Sequence, residues 1–146
     1  MDLETIKARI RNLDIRISNE NEQIKTVSTN LDEAKDALKS AKKLQAEFDA
    51  FVSHHKQARD NNIFENSLKS FQSFLNKTQR MLTGAEYNKA NGNVEEMIRI
   101  SSQEINKLDE DLMFCRRELS RLKEEKEELM AEYKALLAES EGGAET

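Results

Sequence analysis

The chain has 146 residues and a net charge of -5, and it is 35% charged but only 5% aromatic. It contains no proline and no tryptophan, and its one cysteine, Cys115, excludes an intrachain disulfide. This composition is typical of long helices that each bury one stripe, rather than of a domain with a broad core. Lys and Arg residues do not cluster into a basic surface along the chain, so nucleic acid is not expected as a partner.

Residues 3–48 repeat apolar side chains at alternating steps of four and three, the heptad pattern of a coiled coil. The a positions hold Ile10, Ile17, Ile24, Leu31 and Leu38, and the d positions hold Ile6, Leu13, Val27, Ala34, Ala41 and Phe48. Two of these core positions are polar, Glu20 at d and Gln45 at a. The pattern predicts a first stalk arm over 3–48.

Residues 49–93 form the predicted tip region. Asn62 and Glu65 make a capping-box pattern, and the apolar repeat after them predicts either a separate helix or a re-phased continuation of the first. Leu82 and Gly84 frame a turn motif, Leu82-Thr83-Gly84, with cap residues beyond it. We expect the chain to pause here and the last long helix to begin near Val94.

The tip region is rich in phenylalanine. Five of the six phenylalanines fall in or beside it, namely Phe48, Phe51, Phe64, Phe71 and Phe74. They form either a local core where helices meet or an exposed surface for a partner helix. For the second alternative, the candidate partner-binding residues are Val52, Phe64, Phe71 and Leu75.

The heptads return over 94–138, which predicts a second stalk arm, followed by a flexible tail over 139–146. The a positions hold Ile98, Ile105, Leu112, Leu119 and Tyr133, and the d positions hold Val94, Leu108, Cys115, Leu122, Leu129 and Leu136. Again two core positions are polar, Ser101 at d and Lys126 at a.

These polar positions suggest how the arms pair. In one antiparallel register Glu20 faces Lys126 and Gln45 faces Ser101, so that both polar layers are matched. The alternative is a parallel homodimer, in which like charges would meet in the core. We therefore predict one all-α domain over 1–146, a long antiparallel helical hairpin (an intramolecular coiled coil) with a short helical, Phe-rich tip.

The sequence contains no convergent set of catalytic groups, so we expect a protein that is not an enzyme and has no cofactor. His54 and His55 are adjacent and point about 100° apart on a helix, which argues against a metal site. No apolar run has the length of a membrane span or a signal peptide. We expect no membrane insertion and a cytoplasmic location, with export without a cleaved signal peptide left open.

A short all-helical chain that folds back around an X-Gly turn resembles the WXG-like helical proteins of type VII secretion. It is more similar to the accessory proteins that partner LXG toxins, with Leu82-Thr83-Gly84 where the family often has Trp-x-Gly. The resemblance implies a chaperone-like targeting partner that forms a composite helical bundle with the N-terminal helical domain of a toxin. It also implies an export motif of an aromatic followed four residues later by an acid. Phe114 and Glu118 fit this motif, whereas Tyr133 is followed by Leu137.

Two alternatives stay open. The FliJ and YscO proteins, which couple an export ATPase to its gate, are similar in length and are antiparallel two-helix coiled coils. A structural coiled-coil spacer would show the same heptads with no partner surface beyond its ends.

Overall fold

The computed structural model of the protein describes residues 2–60 and 69–144, and within these ranges the chain is helical, without strands. Three helices follow one another: α1 (Leu3–Asp60), α2 (Lys69–Thr83) and α3 (Ala85–Ala144). Asp2 caps α1, since its carboxylate accepts a hydrogen bond from the backbone N–H of Thr5 at 2.7 Å. Hydrogen bonds from the side chain and from the backbone of Thr5 lower the pKa of Asp2.

The helices pack into two units, the first made of Met1–Leu31 with Asn106–Thr146 and the second of Asp32–Ile105. In the first unit, the ammonium of Lys7 lies 6.0 Å from the ring centre of Tyr133, and that of Lys126 lies 2.6 Å from Asp14. Residue numbers rise along α1 as they fall along α3, so the two helices are antiparallel. The predicted all-α intramolecular hairpin is confirmed.

The core of the first unit is built from the predicted heptad positions. A buried cluster of d residues lies between the helices, with partly buried a and d residues packed against it. The buried residues are Ile6, Leu13, Leu122 and Leu129, and the partly buried ones are Ile10, Ile17, Tyr133 and Leu136. Complete burial of one such side chain, as at Leu122, contributes on the order of 2 kcal/mol.

In the second unit the two long helices meet at an aromatic pair. The rings of Phe48 and Tyr87 pack edge to face, with centroids 5.8 Å apart and planes inclined by 64°. Ala41 and Val94 are buried on the long helices, and Leu82 is buried at the end of α2. The second unit therefore also has its core at heptad positions, with a contribution from α2.

The predicted register is wrong. Lys126 pairs with Asp14, which precedes Glu20 by about 9 Å along α1. In the second unit, the contact between Phe48 and Tyr87 places Gln45 and Ser101 more than one helical turn apart along the helix axis. A heptad pattern looks the same after a shift of seven residues, so it cannot choose between such registers. The predicted register was chosen because it pairs Glu20 with Lys126. That choice considered only core positions and left out carboxylates at the edge of the core, such as Asp14.

The predicted pause at the end of the tip is far shorter than expected. Only Gly84 separates α2 from α3, and α3 then runs through Gly92 without a break. The start expected near Val94 is therefore wrong by about nine residues. A glycine inside a helix costs only about 1 kcal/mol, and packing of Tyr87 and Val94 on either side outweighs that cost.

Candidate partner-binding site

A concave apolar surface lies in the second unit where α1 passes the junction of α2 and α3. We call it the junction groove; its volume is about 720 Å³. Its lining residues are Phe48, Phe51, Arg80, Met81, Leu82, Gly84, Ala85, Glu86 and Tyr87. Five of the nine are large apolar or aromatic residues, a composition that suits another apolar surface rather than a reaction.

The groove combines a fixed floor with exposed walls. Phe48 and Tyr87 are held by their edge-to-face contact, and Leu82 is buried. Phe51, one helical turn after Phe48, is 49% exposed, and Met81 is 59% exposed. Large apolar side chains exposed beside a packed aromatic pair are the arrangement expected of a protein-binding surface.

The glycine of the turn motif lies close to the backbone of the preceding helix. A Cβ atom on Gly84 would lie 3.0 Å from the carbonyl oxygen of Arg80 and 3.3 Å from that of Met81. Those oxygens belong to the last turn of α2, so they cannot move aside as a flexible side chain would. Within the turn motif, the side chain of Leu82 is therefore buried beneath the groove, and the backbone at Gly84 lies close to the last turn of α2.

Of the four candidate partner-binding residues of the tip, the structure describes the side chain of Val52 alone. Val52 is 37% exposed on α1 but is not among the lining residues of the junction groove. Phe64 lies outside the described residues. Phe71 and Leu75 belong to α2, but their side chains lie outside the described part of the chain. The role of these four residues therefore stays a prediction.

Phe51, Met81 and Tyr87 line the groove but were not among the partner-binding residues selected from the sequence. Phe51 follows Phe48 by three residues, the spacing that places two side chains on one face of a helix, and this was the available signal. Met81 and Tyr87 had no such signal. Their common location depends on the single-residue junction at Gly84, which the sequence did not predict.

The candidate export motif lies on α3 in the first unit. Phe114 is 67% exposed, and Glu118, one turn later, forms an ion pair with Arg121. Hydrogen bonding to Arg121 lowers the pKa of Glu118, so this carboxylate is charged at neutral pH. The two residues lie one turn apart on α3, and their role as an export motif stays a prediction.

The thiol of Cys115 is buried, 3% exposed, at its d position. Burial raises its pKa, and a hydrogen bond to Glu20 raises it further, because a thiolate would face a carboxylate. Glu20, expected to pair with Lys126, instead lies beside this thiol. The environment favours a neutral, unreactive cysteine.

Neither a metal cluster nor a membrane span emerges from the described helices. Among the described residues, no three His, Cys, Asp or Glu side chains are grouped closely enough to hold a metal ion. No helix in the described ranges combines the length and apolar character needed to cross a membrane. Comparison with family models, curated proteins and solved structures gives no match to this chain.

Proposed function

We propose that this chain is a non-enzymatic binding protein that packs against another helical protein through its junction groove. In the specific form that the turn motif suggests, the partner is the N-terminal helical domain of a secreted toxin. The chain would act in the cytoplasm as a chaperone-like targeting factor for type VII export, with or without leaving the cell together with the toxin.

The observation that carries the proposal is the exposure of Phe51 and Met81 at the junction groove. Each side chain is already about half buried, so covering the rest of it would contribute on the order of 1 kcal/mol, and covering both together would favour binding of a partner. A helix from another protein could lie in the groove and contact both side chains, as apolar faces of helices do in composite bundles. The more specific proposal of type VII export is supported in addition by three residues only, namely Leu82 and Gly84 of the turn motif and the exposed Phe114.

The test is a pull-down of the tagged protein from its native cytoplasm, read by mass spectrometry and by the mass of the complex. The expected product is a stoichiometric complex with a large protein that has an N-terminal helical domain and a toxin-like C-terminal part. Phe51→Asp and Met81→Asp should each weaken that complex at least about tenfold, since a buried charge replaces an apolar contact.

Ile15→Asp is the matched control, because Ile15 is 60% exposed on α1 and is not among the residues that line the groove. Equal binding by all three variants, with folding verified by circular dichroism, would rule out the junction groove. Recovery of an export ATPase would favour a FliJ-like or YscO-like coupler instead. Recovery of the chain alone would favour the spacer.

A further inference from the structure

The first unit contains a second groove, between the beginning of α1 and the end of α3. We call it the cationic groove; its volume is about 650 Å³. Its apolar lining consists of Ile10, Met130, Tyr133 and Leu137. Met130 is 40% and Leu137 is 37% exposed, so the apolar strip is open to solvent over about two helical turns.

The charged residues of this groove all have the same sign. Lys7 and Arg11 stand on the α1 wall, Lys134 stands on the α3 wall, and no carboxylate belongs to the lining. The sign of this lining is opposite to the net charge of the chain, which is -5. Lys7 lies over the face of Tyr133, and its ion pair with Glu4 is long, 3.9 Å, and exposed. A stronger anion could therefore displace Glu4 at little cost.

We propose that the cationic groove binds an amphipathic helix that carries acidic residues on both sides of its apolar stripe. Two antiparallel helices packed side by side leave a groove whose width suits a third helix, and the apolar strip offers sites for residues spaced as i, i+3 or i+4, and i+7. Cations on both walls would face carboxylates on both flanks of that helix. Methionine at position 130 can adapt its shape to the incoming side chains.

Charge argues against a second copy of the chain as the occupant, and incomplete coverage argues against a lipid. A symmetric pair of chains joined at this groove would bring six cations together, which opposes such a dimer. A single acyl chain with an anionic head would stay largely exposed in a groove that two helices cover from one side only. An acidic helix would cover the whole apolar strip, and its carboxylates would neutralise the positive charges on both walls.

The test uses two synthetic peptides of about 18 residues with the same leucine stripe, flanked by glutamates in one and by lysines in the other. Binding to the intact protein is measured by fluorescence anisotropy. The glutamate peptide should bind at least about tenfold more tightly than the lysine peptide, and added salt should reduce this difference. The triple variant Lys7→Glu, Arg11→Glu, Lys134→Glu should reverse the preference.

A matched triple reversal at Lys25, Lys107 and Lys123, which lie in the first unit outside the groove, changes the net charge equally and should keep the preference. Leu137→Asp should weaken binding of the glutamate peptide at least about tenfold, while Ile15→Asp should not. Equal binding of both peptides, or reversal by the control triple variant, would overturn the proposal. Binding to anionic phospholipid vesicles without peptide binding would overturn it in favour of a lipid surface, and self-association in sedimentation without peptide binding would overturn it in favour of a second copy.

Discussion

The charged residues of the first unit show how a coiled coil accommodates a lysine at a core position. Lys126 occupies an a position, yet its ammonium reaches Asp14, which lies at the neighbouring e position of α1 at the edge of the core. The side chains of Lys126 and Asp14 are 32% and 52% exposed, respectively, so the pair is solvated. Its value to stability is therefore at most about 1 kcal/mol, and its main effect is on the choice of register.

This pair makes the first prediction. Asp14→Lys and Lys126→Asp should each destabilise the protein by up to about 1 kcal/mol, because each places two like charges side by side. The double variant should recover most of the loss, since the ion pair forms again in the opposite sense. Urea unfolding of the four proteins in a double-mutant cycle measures the coupling.

The control cycle combines Glu20→Lys with Lys126→Glu, the pair that the sequence suggested. Because Glu20 lies beside Cys115, no coupling between these two positions is expected. Coupling in the control cycle together with additivity in the Asp14 cycle would contradict the observed register.

At the scale of elements, two glycines of similar appearance in the sequence occupy opposite environments. Gly84 sits between α2 and α3 against carbonyl oxygens of the preceding turn, whereas no atom lies within 4 Å of a Cβ added to Gly92. Gly92 is an ordinary helical residue within α3. Of the two, only Gly84 lies where an added side chain would press on neighbouring backbone atoms.

Alanine substitutions at these positions should change stability in opposite directions. Gly84→Ala should destabilise the protein by roughly 1 kcal/mol or more, because its methyl group would press on the backbone of α2. Gly92→Ala should stabilise it by about 0.5–1 kcal/mol, because alanine restricts the unfolded chain and favours the helix. The measurement is the midpoint of urea unfolding, followed by circular dichroism, and a shift in the same direction for both variants would refute the assignment of the junction.

The positions of the helices were only partly predictable. The steps of four and three correctly identified the core side chains of both arms, because burial selects apolar residues at that period in any register. The ends of α1 and α3 were not predictable in the same way. Cap residues such as Asn93 occur inside helices when packing on either side outweighs their local preference.

At the scale of the whole molecule, the two long helices of one chain bury each other's apolar heptad positions. Ile6, Leu13, Leu122 and Leu129 form one buried cluster without help from a second chain. This arrangement removes the need for the parallel homodimer considered from the sequence.

An intramolecular hairpin predicts that stability is independent of protein concentration. The melting temperature by circular dichroism should stay constant over a range of about a hundredfold in concentration, because unfolding does not change the number of particles. Sedimentation equilibrium should give the mass of one chain, 16.8 kDa. A melting temperature that rises with concentration would indicate that the helices pair between chains.

The sequence by itself determined that this protein is helical, which side chains are buried, and that two long arms are joined through a tip region. These features follow from local periodicity and composition, to which each residue contributes independently of its distant neighbours. Only the tertiary structure decided the register of the arms, the single-residue junction at Gly84, and the two grooves. Each of these depends on which residues meet across the hairpin, and a heptad repeat leaves that choice nearly degenerate, since a shift by seven residues buries the same stripes. The choice therefore rests on small differences such as the Asp14 pair, the contact between Phe48 and Tyr87, and the space beside Gly84.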